Sequence, residues 1–465
     1  MMGNKALKSG IWYTVANFVM KSITFITTPI FARMLTHTEY GLFSNFTSWM
    51  STLIVIVTLN LESTFITARF EHEERFDEYV FSTLALSSLS GIAWFVLALL
   101  FPNQVRAFTK IEPVHIYLLM IYLIALPAVQ MFQARERFFF RYKTSVFISL
   151  AVAFSNAILS IILVCYMKDR LTGRIIGSVA PVILIGAVLS ILIVMKGKHI
   201  DIAFWKYALP ICLPFIPHLL SLSLLNSLDR MMITRYCGAE ENALYTIAYT
   251  CGAIVTLLTT SMNSAFAPWL GEKLNAGEND EIRTTSQKYI LLFVVFAVGL
   301  MLATPEVLVV MGGRSYREAL YVMPPVAFGC VCQFLYTMYV NIEQFKKKTV
   351  SMAIASLSAA LLNYILNYIL IPRFGYIAAA YTTLISFIWL LFAHMIIVNR
   401  IGYSNIYSTK LVVLVVLGMS VCTATVNILY SHDVIRFGVV LVYFGFLWKI
   451  LMNNKAFVLG IFKRG

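Results

Sequence analysis

Apolar runs of about 18 or more residues, broken by short polar connections, follow one another along nearly the whole 465-residue chain. An α-helix needs about 20 such residues to cross about 30 Å of hydrocarbon. On that measure about fourteen crossings are predicted, centred on residues 11–33, 42–63, 79–101, 115–134, 145–167, 175–195, 210–234, 243–268, 288–311, 319–341, 350–371, 376–398, 409–430 and 434–452. No water reaches the backbone at that depth, so these segments must satisfy their hydrogen bonds internally, as helices. Barrel strands would alternate and be about half as long. The pattern therefore predicts an all-α polytopic membrane protein. The first run follows Lys5 and Lys8 as a signal peptide would. It is too long for one, holds Asn17 and Lys21 and lacks a small-residue cleavage site, so a retained first helix is expected.

Composition agrees: 60% of residues are hydrophobic, 12% are charged, and the mean hydropathy is +0.80. The net charge of +14 is unevenly distributed. With the N-terminus inside, the inner connections carry roughly twice as many Lys and Arg as the outer ones, which predicts that both termini are cytoplasmic. The positive charge is then a topogenic signal and an attraction to anionic membrane lipids, with no nucleic-acid partner. The acidic stretch EHEERFDEY (71–79) is expected as a solvated loop. Seven cysteines, mostly inside apolar runs and without metal spacing, read as core filler, and no metal site is predicted.

An internal repeat organises the chain. RMLTHTEYGLFS from Arg33 aligns without a gap on RYCGAEENALYT from Arg235, an offset of 202 that pairs Glu39 with Glu241 and Phe43 with Tyr245. TGRIIGSVAPVI from Thr172 meets FGYIAAAYTTLI from Phe374 at the same offset, and FSNAILSIIL from Phe154 resembles LLNYILNYIL from Leu361 with a small shift. Six helices per copy predict two lobes, 1–200 and 201–400, in a parallel pseudo-two-fold repeat, with 401–465 as an appended helix pair and tail. Lobes so related commonly bind a solute between them and open it alternately to each side.

Polar groups inside the apolar runs are the candidate site. Asn17, Lys21 and Thr24, with Thr14 and Thr28, step by three or four residues and make one stripe expected to line a cavity. In the second run Ser44, Ser48, Ser51, Thr58 and Glu62 form a similar series, the hydroxyls reading as packing groups. Glu62 is a candidate proton site, a partner for Lys21, or an interfacial carboxylate. The seventh run is irregular at Pro210, Pro214 and Pro217, and places Asp229 on the face of His218, with Arg230 beside it. Counting 1.5 Å per residue puts Asp229 and Arg230 near the outer end, less buried than their apolar neighbours suggest, where a local pair or an outer-gate contact is expected. Asn363 and Asn367 read as helix-to-helix bonds, and Glu306 and Glu343 as interfacial. No hydrolase triad, zinc cluster or nucleotide-binding loop occurs in the sequence. The expectation is a non-enzyme without cofactor, drawing on H+ or Na+ coupling if it works uphill.

The stretches PIFARML-x4-YGLF (Pro29 to Phe43), NSLDRMMI (Asn226 to Ile233), ALYTIAY (Ala243 to Tyr249) and the KKKT before the eleventh run resemble the polysaccharide-biosynthesis flippases of the multidrug, oligosaccharidyl-lipid and polysaccharide exporter superfamily. The resemblance implies a bacterial inner-membrane protein that moves an undecaprenyl-pyrophosphate-linked oligosaccharide by alternating access, for O-antigen, capsule or exopolysaccharide synthesis. It further implies Lys21 as a contact to the anionic headgroup, with Arg33, Arg230 and Arg235 toward the outer side. A polysaccharide polymerase and a chain-length regulator are the expected partners of a monomer. The competing readings are a lipid II flippase and an ion-coupled multidrug antiporter.

Overall fold

The computed structural model describes residues 2–139, 141–404 and 406–453. Its helices begin with α1 (Met2–Met34), α2 (His37–Val57), α3 (Phe65–Glu71), α4 (Phe76–Leu100), α5 (Pro102–Thr109), α6 (Pro113–Phe138), α7 (Tyr142–Tyr166), α8 (Arg170–Gly197), α9 (Ile202–Cys212) and α10 (Ile216–Tyr236). They continue as α11 (Ala239–Gly252), α12 (Val255–Ala276), α13 (Asn279–Leu302), α14 (Thr304–Met311), α15 (Met323–Phe345), α16 (Thr349–Phe374), α17 (Tyr376–Val398), α18 (Thr409–Leu429) and α19 (Asp433–Asn453). No strand occurs among the described residues. The chain is an all-α, multi-pass membrane protein.

Twelve of the described spans are long and apolar enough to cross a membrane. The other two apolar runs are helical as well. The eighth, 243–268, breaks at Ala253 and Ile254 into α11 and α12. The fourteenth forms α19, which carries Asp433, Arg436 and Lys449.

Two compact units divide the chain. The first runs to Ile247 and adds Met311–Gly313 and Ala353–Thr382; the second comprises Ala248–Val310, Arg314–Met352 and the chain from Thr383 on. In the first, α8 packs on α6 and α7, α4 on α6, α1 on α7, and α2 on α10. Helix α2 starts where Thr36 and Glu39 cap each other's backbone N–H groups, a capping box written in the sequence as T-x-x-E. It ends at Val57 because Leu59 and Asn60 take left-handed backbone angles (φ 56° and 47°). The break between α9 and α10 is a 3-10 turn, Leu213–Phe215, set by the three prolines.

Residues that correspond in the repeat touch one another. The Ser44 and Thr246 hydroxyls are 2.6 Å apart, and Thr38 donates to Glu240 at 3.0 Å. Between them Gly41 lets α2 meet the start of α11: a Cβ there would lie 1.7 Å from the Ala239 carbonyl oxygen. The Asn242 amide donates to the Gly41 carbonyl at 2.9 Å. Mutual contact of equivalent residues is what a two-fold relation produces at its axis.

In the second unit α15 is the central helix, with α12, α13 and α18 against it. Phe293 and Phe334 stack with ring centroids 4.4 Å apart. Arg436 of α19, 2% exposed, donates to both Glu306 carboxylate oxygens at 2.8 and 2.6 Å and to the Leu302 carbonyl at 3.1 Å. Glu306, expected at the interface, is half-exposed and paired.

Candidate functional site

Asn17, Lys21 and Thr24 are all exposed side chains on α1. Thr28, one turn further, is buried, and the Thr14 side chain lies outside the described residues. Their spacing puts them on one face, and Lys21 lies within the first membrane span. A charge there faces a polar cavity or a partner more cheaply than lipid. Thr24 bonds back to the Met20 carbonyl (3.2 Å), so its hydroxyl is already used within the helix. Arg33 is exposed in the last turn of α1 and donates to the Pro29 carbonyl at 2.9 Å. Arg235, also exposed, holds the equivalent place in the last turn of α10. About 18 Å of helix separates Lys21 from Arg33, so the cations are spread along α1 rather than gathered.

Asp229 is not the half-solvated group expected from its position along the helix. It is 3% exposed. Tyr245 Oη donates to its Oδ2 at 2.6 Å and Asn367 Nδ2 to its Oδ1 at 2.7 Å. Asn367 Nδ2 also reaches Asn363 Oδ1 at 3.1 Å, and Thr382 Oγ1 donates to Asn367 Oδ1. Arg230, its neighbour in sequence, is half-buried and donates to the Asn226 carbonyl one turn back at 3.0 Å. A carboxylate taken out of water needs such charge-assisted bonds, each contributing about 1.5–3 kcal/mol. The seat is thus built from Tyr245, Asn367, Asn363 and Thr382, with a hydroxyl and an amide N–H turned toward the carboxylate. Among the described residues there is no group of three His, Cys, Asp or Glu placed to hold a metal ion.

Glu62 also moves. It sits beyond the end of α2, in the short turn Leu61–Thr64, so it does not extend the Ser44–Thr58 series. The opposite charge that acts on it is Arg137 rather than Lys21, and burial pushes its carboxyl above the ordinary value. Its Oε2 is buried without a hydrogen-bond partner among the described residues. His218 lies half-buried in the first turn of α10, with Nδ1 likewise unpartnered, about 16 Å of helix from Asp229. The serines of α2 are packing groups: Ser51 meets Ser227 at 3.0 Å and its carbonyl accepts from Ser223 at 2.8 Å.

The acidic stretch is not a plain solvated loop. Asp77 receives two bonds from Arg135, at 2.5 and 3.0 Å; Arg135 also meets Glu136 at 2.6 Å and is 7% exposed. Glu73 and Glu78 pair with Arg69 and Arg75. Glu343, expected at the interface, is fully buried and sits 2.6 Å from His394 Nδ1. A lone histidine in an apolar run is the sequence signal for that pair.

The family profile described as "Polysaccharide biosynthesis protein" matches residues 6–274, and the one described as "MatE" matches residues 214–369. No curated protein matches the chain. Among solved structures, "Lipid II flippase MurJ, inward closed conformation" is similar at TM-score 0.71 and 15% identity, over 95% of this chain and 100% of that one. An inward-facing "multidrug resistance MATE family transporter of the MOP superfamily" gives 0.58 at 15% identity, over 84% and 95%. A MOP superfamily transporter from Pyrococcus furiosus gives 0.52 at 16%, over 86% and 96%. At these identities the likeness is one of fold.

Proposed function

The chain belongs to the polysaccharide biosynthesis protein family, and from that membership of a flippase and transporter fold we propose its cargo: an undecaprenyl-pyrophosphate-linked oligosaccharide. The protein would carry it from the cytoplasmic to the outer leaflet of the bacterial inner membrane by alternating access, with both termini cytoplasmic. The product feeds O-antigen, capsule or exopolysaccharide assembly, handed on to a polymerase and a chain-length regulator by a monomeric flippase. The observation that carries this reading is Lys21, an exposed cation inside the first membrane span, on one face with Asn17 and Thr24. A pyrophosphate offers such a cation charge-assisted hydrogen bonds. Arg33 and Arg235, at the ends of α1 and α10, would take the anion as it leaves.

Asp229 supports H+ or Na+ coupling, because its buried carboxylate gains most from a cation that enters and leaves its polar seat. Lipid II as cargo is the second reading, favoured by the fold shared with the lipid II flippase. In a strain dependent on this gene, Lys21→Ala should lower surface glycan at unchanged protein abundance, and Lys21→Arg should retain part of it. Unchanged glycan in Lys21→Ala removes Lys21 from the substrate path. Rescue of a strain lacking its lipid II flippase instead would replace the first reading by the second.

A further inference from the structure

The seat that holds Asp229 has a counterpart in the first copy of the repeat, and the charge in it is inverted. Aligning FSNAILSIIL with LLNYILNYIL sets Asn156 on Asn363 and Ser160 on Asn367, and the offset of 202 sets Phe43 on Tyr245. In the second copy these positions surround a carboxylate. In the first they surround Arg174. Its Nη1 donates to Ser160 Oγ at 2.6 Å and to Asn156 Oδ1 at 3.4 Å. Its guanidinium carbon lies 4.2 Å from the Phe43 ring centroid and 3.9 Å from that of Phe31.

The charge arrives from a different helix in each copy. Asp229 on α10 corresponds to Thr27 on α1, and Arg174 on α8 corresponds to Tyr376 on α17. Asn156 gives its Nδ2 to the Ser178 carbonyl at 3.1 Å and keeps Oδ1 for the cation. In the second copy the amide that presents Nδ2 to the carboxylate is Asn367, at the position of Ser160. Among the described residues no carboxylate comes within ion-pair distance of Arg174, and its Nε is buried without an acceptor. Amide, hydroxyl and ring face are the partners a desolvated cation prefers when no carboxylate is present.

We propose that Arg174 is a permanently installed cation that fills the first copy's seat: a positioning residue that holds α1, α2, α7 and α8 together throughout the transport cycle. A guanidinium does not lose its proton in proteins, and one tethered by its own side chain does not diffuse away. Exchange with the surrounding solution is then confined to the Asp229 seat, a clause that rests on the coupling reading above.

The test uses purified full-length protein in nanodiscs, with Arg174→Ala, Arg174→Lys and Arg174→Met, and translocation of a lipid-linked oligosaccharide in proteoliposomes. Arg174→Ala should melt several degrees lower and translocate about an order of magnitude more slowly. Millimolar methylguanidinium should recover at least half of both losses, while NaCl at equal ionic strength recovers neither. The wild type and Arg174→Met, whose side chain blocks the cage, should not respond to it. Absence of a selective response in Arg174→Ala overturns the proposal. If that variant does not accumulate, the order of melting temperatures decides: wild type above Arg174→Lys above Arg174→Met is expected, and Arg174→Met melting with the wild type overturns the proposal. Failure of the coupling reading shows elsewhere, as an unchanged cation dependence of transport in Asp229→Asn.

Discussion

Replacing Gly41 with alanine tests the meeting of α2 and α11 in a way that separates geometry from helix propensity. A Cβ at Gly41 would sit 1.7 Å from the Ala239 carbonyl oxygen, which is backbone and cannot rotate away. Restoring van der Waals separation requires about 1.5–2 Å of movement between the helices. That movement breaks two buried hydrogen bonds, Asn242 to the Gly41 carbonyl and Ser44 to Thr246. Each contributes about 1 kcal/mol, and overpacking costs about 1–3 kcal/mol more. The net loss is about 3–5 kcal/mol, reduced by less than about 1 kcal/mol through alanine's better helix propensity. Gly271 is the control: it lies within α12, and nothing comes within 4 Å of the place its methyl group would take, so its alanine variant should gain up to about 1 kcal/mol. Melting of the two purified variants, followed by a thiol-reactive dye or tryptophan fluorescence, should move in opposite directions. A Gly41→Ala protein that melts with or above the wild type refutes the close approach.

Three further outcomes are expected. Burial raises the Glu62 carboxyl above its ordinary value, so the native state keeps its proton to higher pH than the unfolded chain; the stability this contributes is full below the ordinary value and is lost as pH rises through the raised one. Glu62→Gln should therefore flatten the melting temperature from acid to neutral pH, and an unaltered slope would assign the pH dependence to other groups. His394→Ala leaves Glu343 buried without its 2.6 Å partner and should cost about 3–5 kcal/mol, whereas a double replacement by apolar residues should cost less; equal losses in the single and double variants, read by thermal melting, contradict the pairing. Glu306→Gln removes one charge of a pair whose acid is half-exposed, so solvent screening limits the loss to about 1–2 kcal/mol, and a loss as large as that of His394→Ala would be inconsistent with this exposure.

Much of the fold is legible because the membrane simplifies the code. Long apolar runs can only be helices, and Thr36 with Glu39 marks where α2 begins. The end of α2 carries no such mark: Leu59 and Asn60 turn the chain without glycine or proline, so spacing alone sets Glu62 on a helix it does not belong to. Rise per residue locates Asp229 along its helix but not around it. Its burial depends on Tyr245, 16 residues on, and on Asn367, 138 residues on, and no local pattern encodes that meeting. The Asn363 and Asn367 pair is visible as a one-turn spacing, yet only its bond to Asp229 gives it a role. Glu343 and His394 likewise lie 51 residues apart, on different helices. The acidic stretch after α3 reads as solvated for a related reason: Asp77 finds its partner, Arg135, at the far end of α6.

The touching of Ser44 with Thr246 and of Thr38 with Glu240 has a consequence for what substitutions this line accepts. In a symmetric pair of identical chains every residue on such a line would have to tolerate its own image. Within one chain the two sides are free to differ, and they do: serine faces threonine, and threonine faces glutamate.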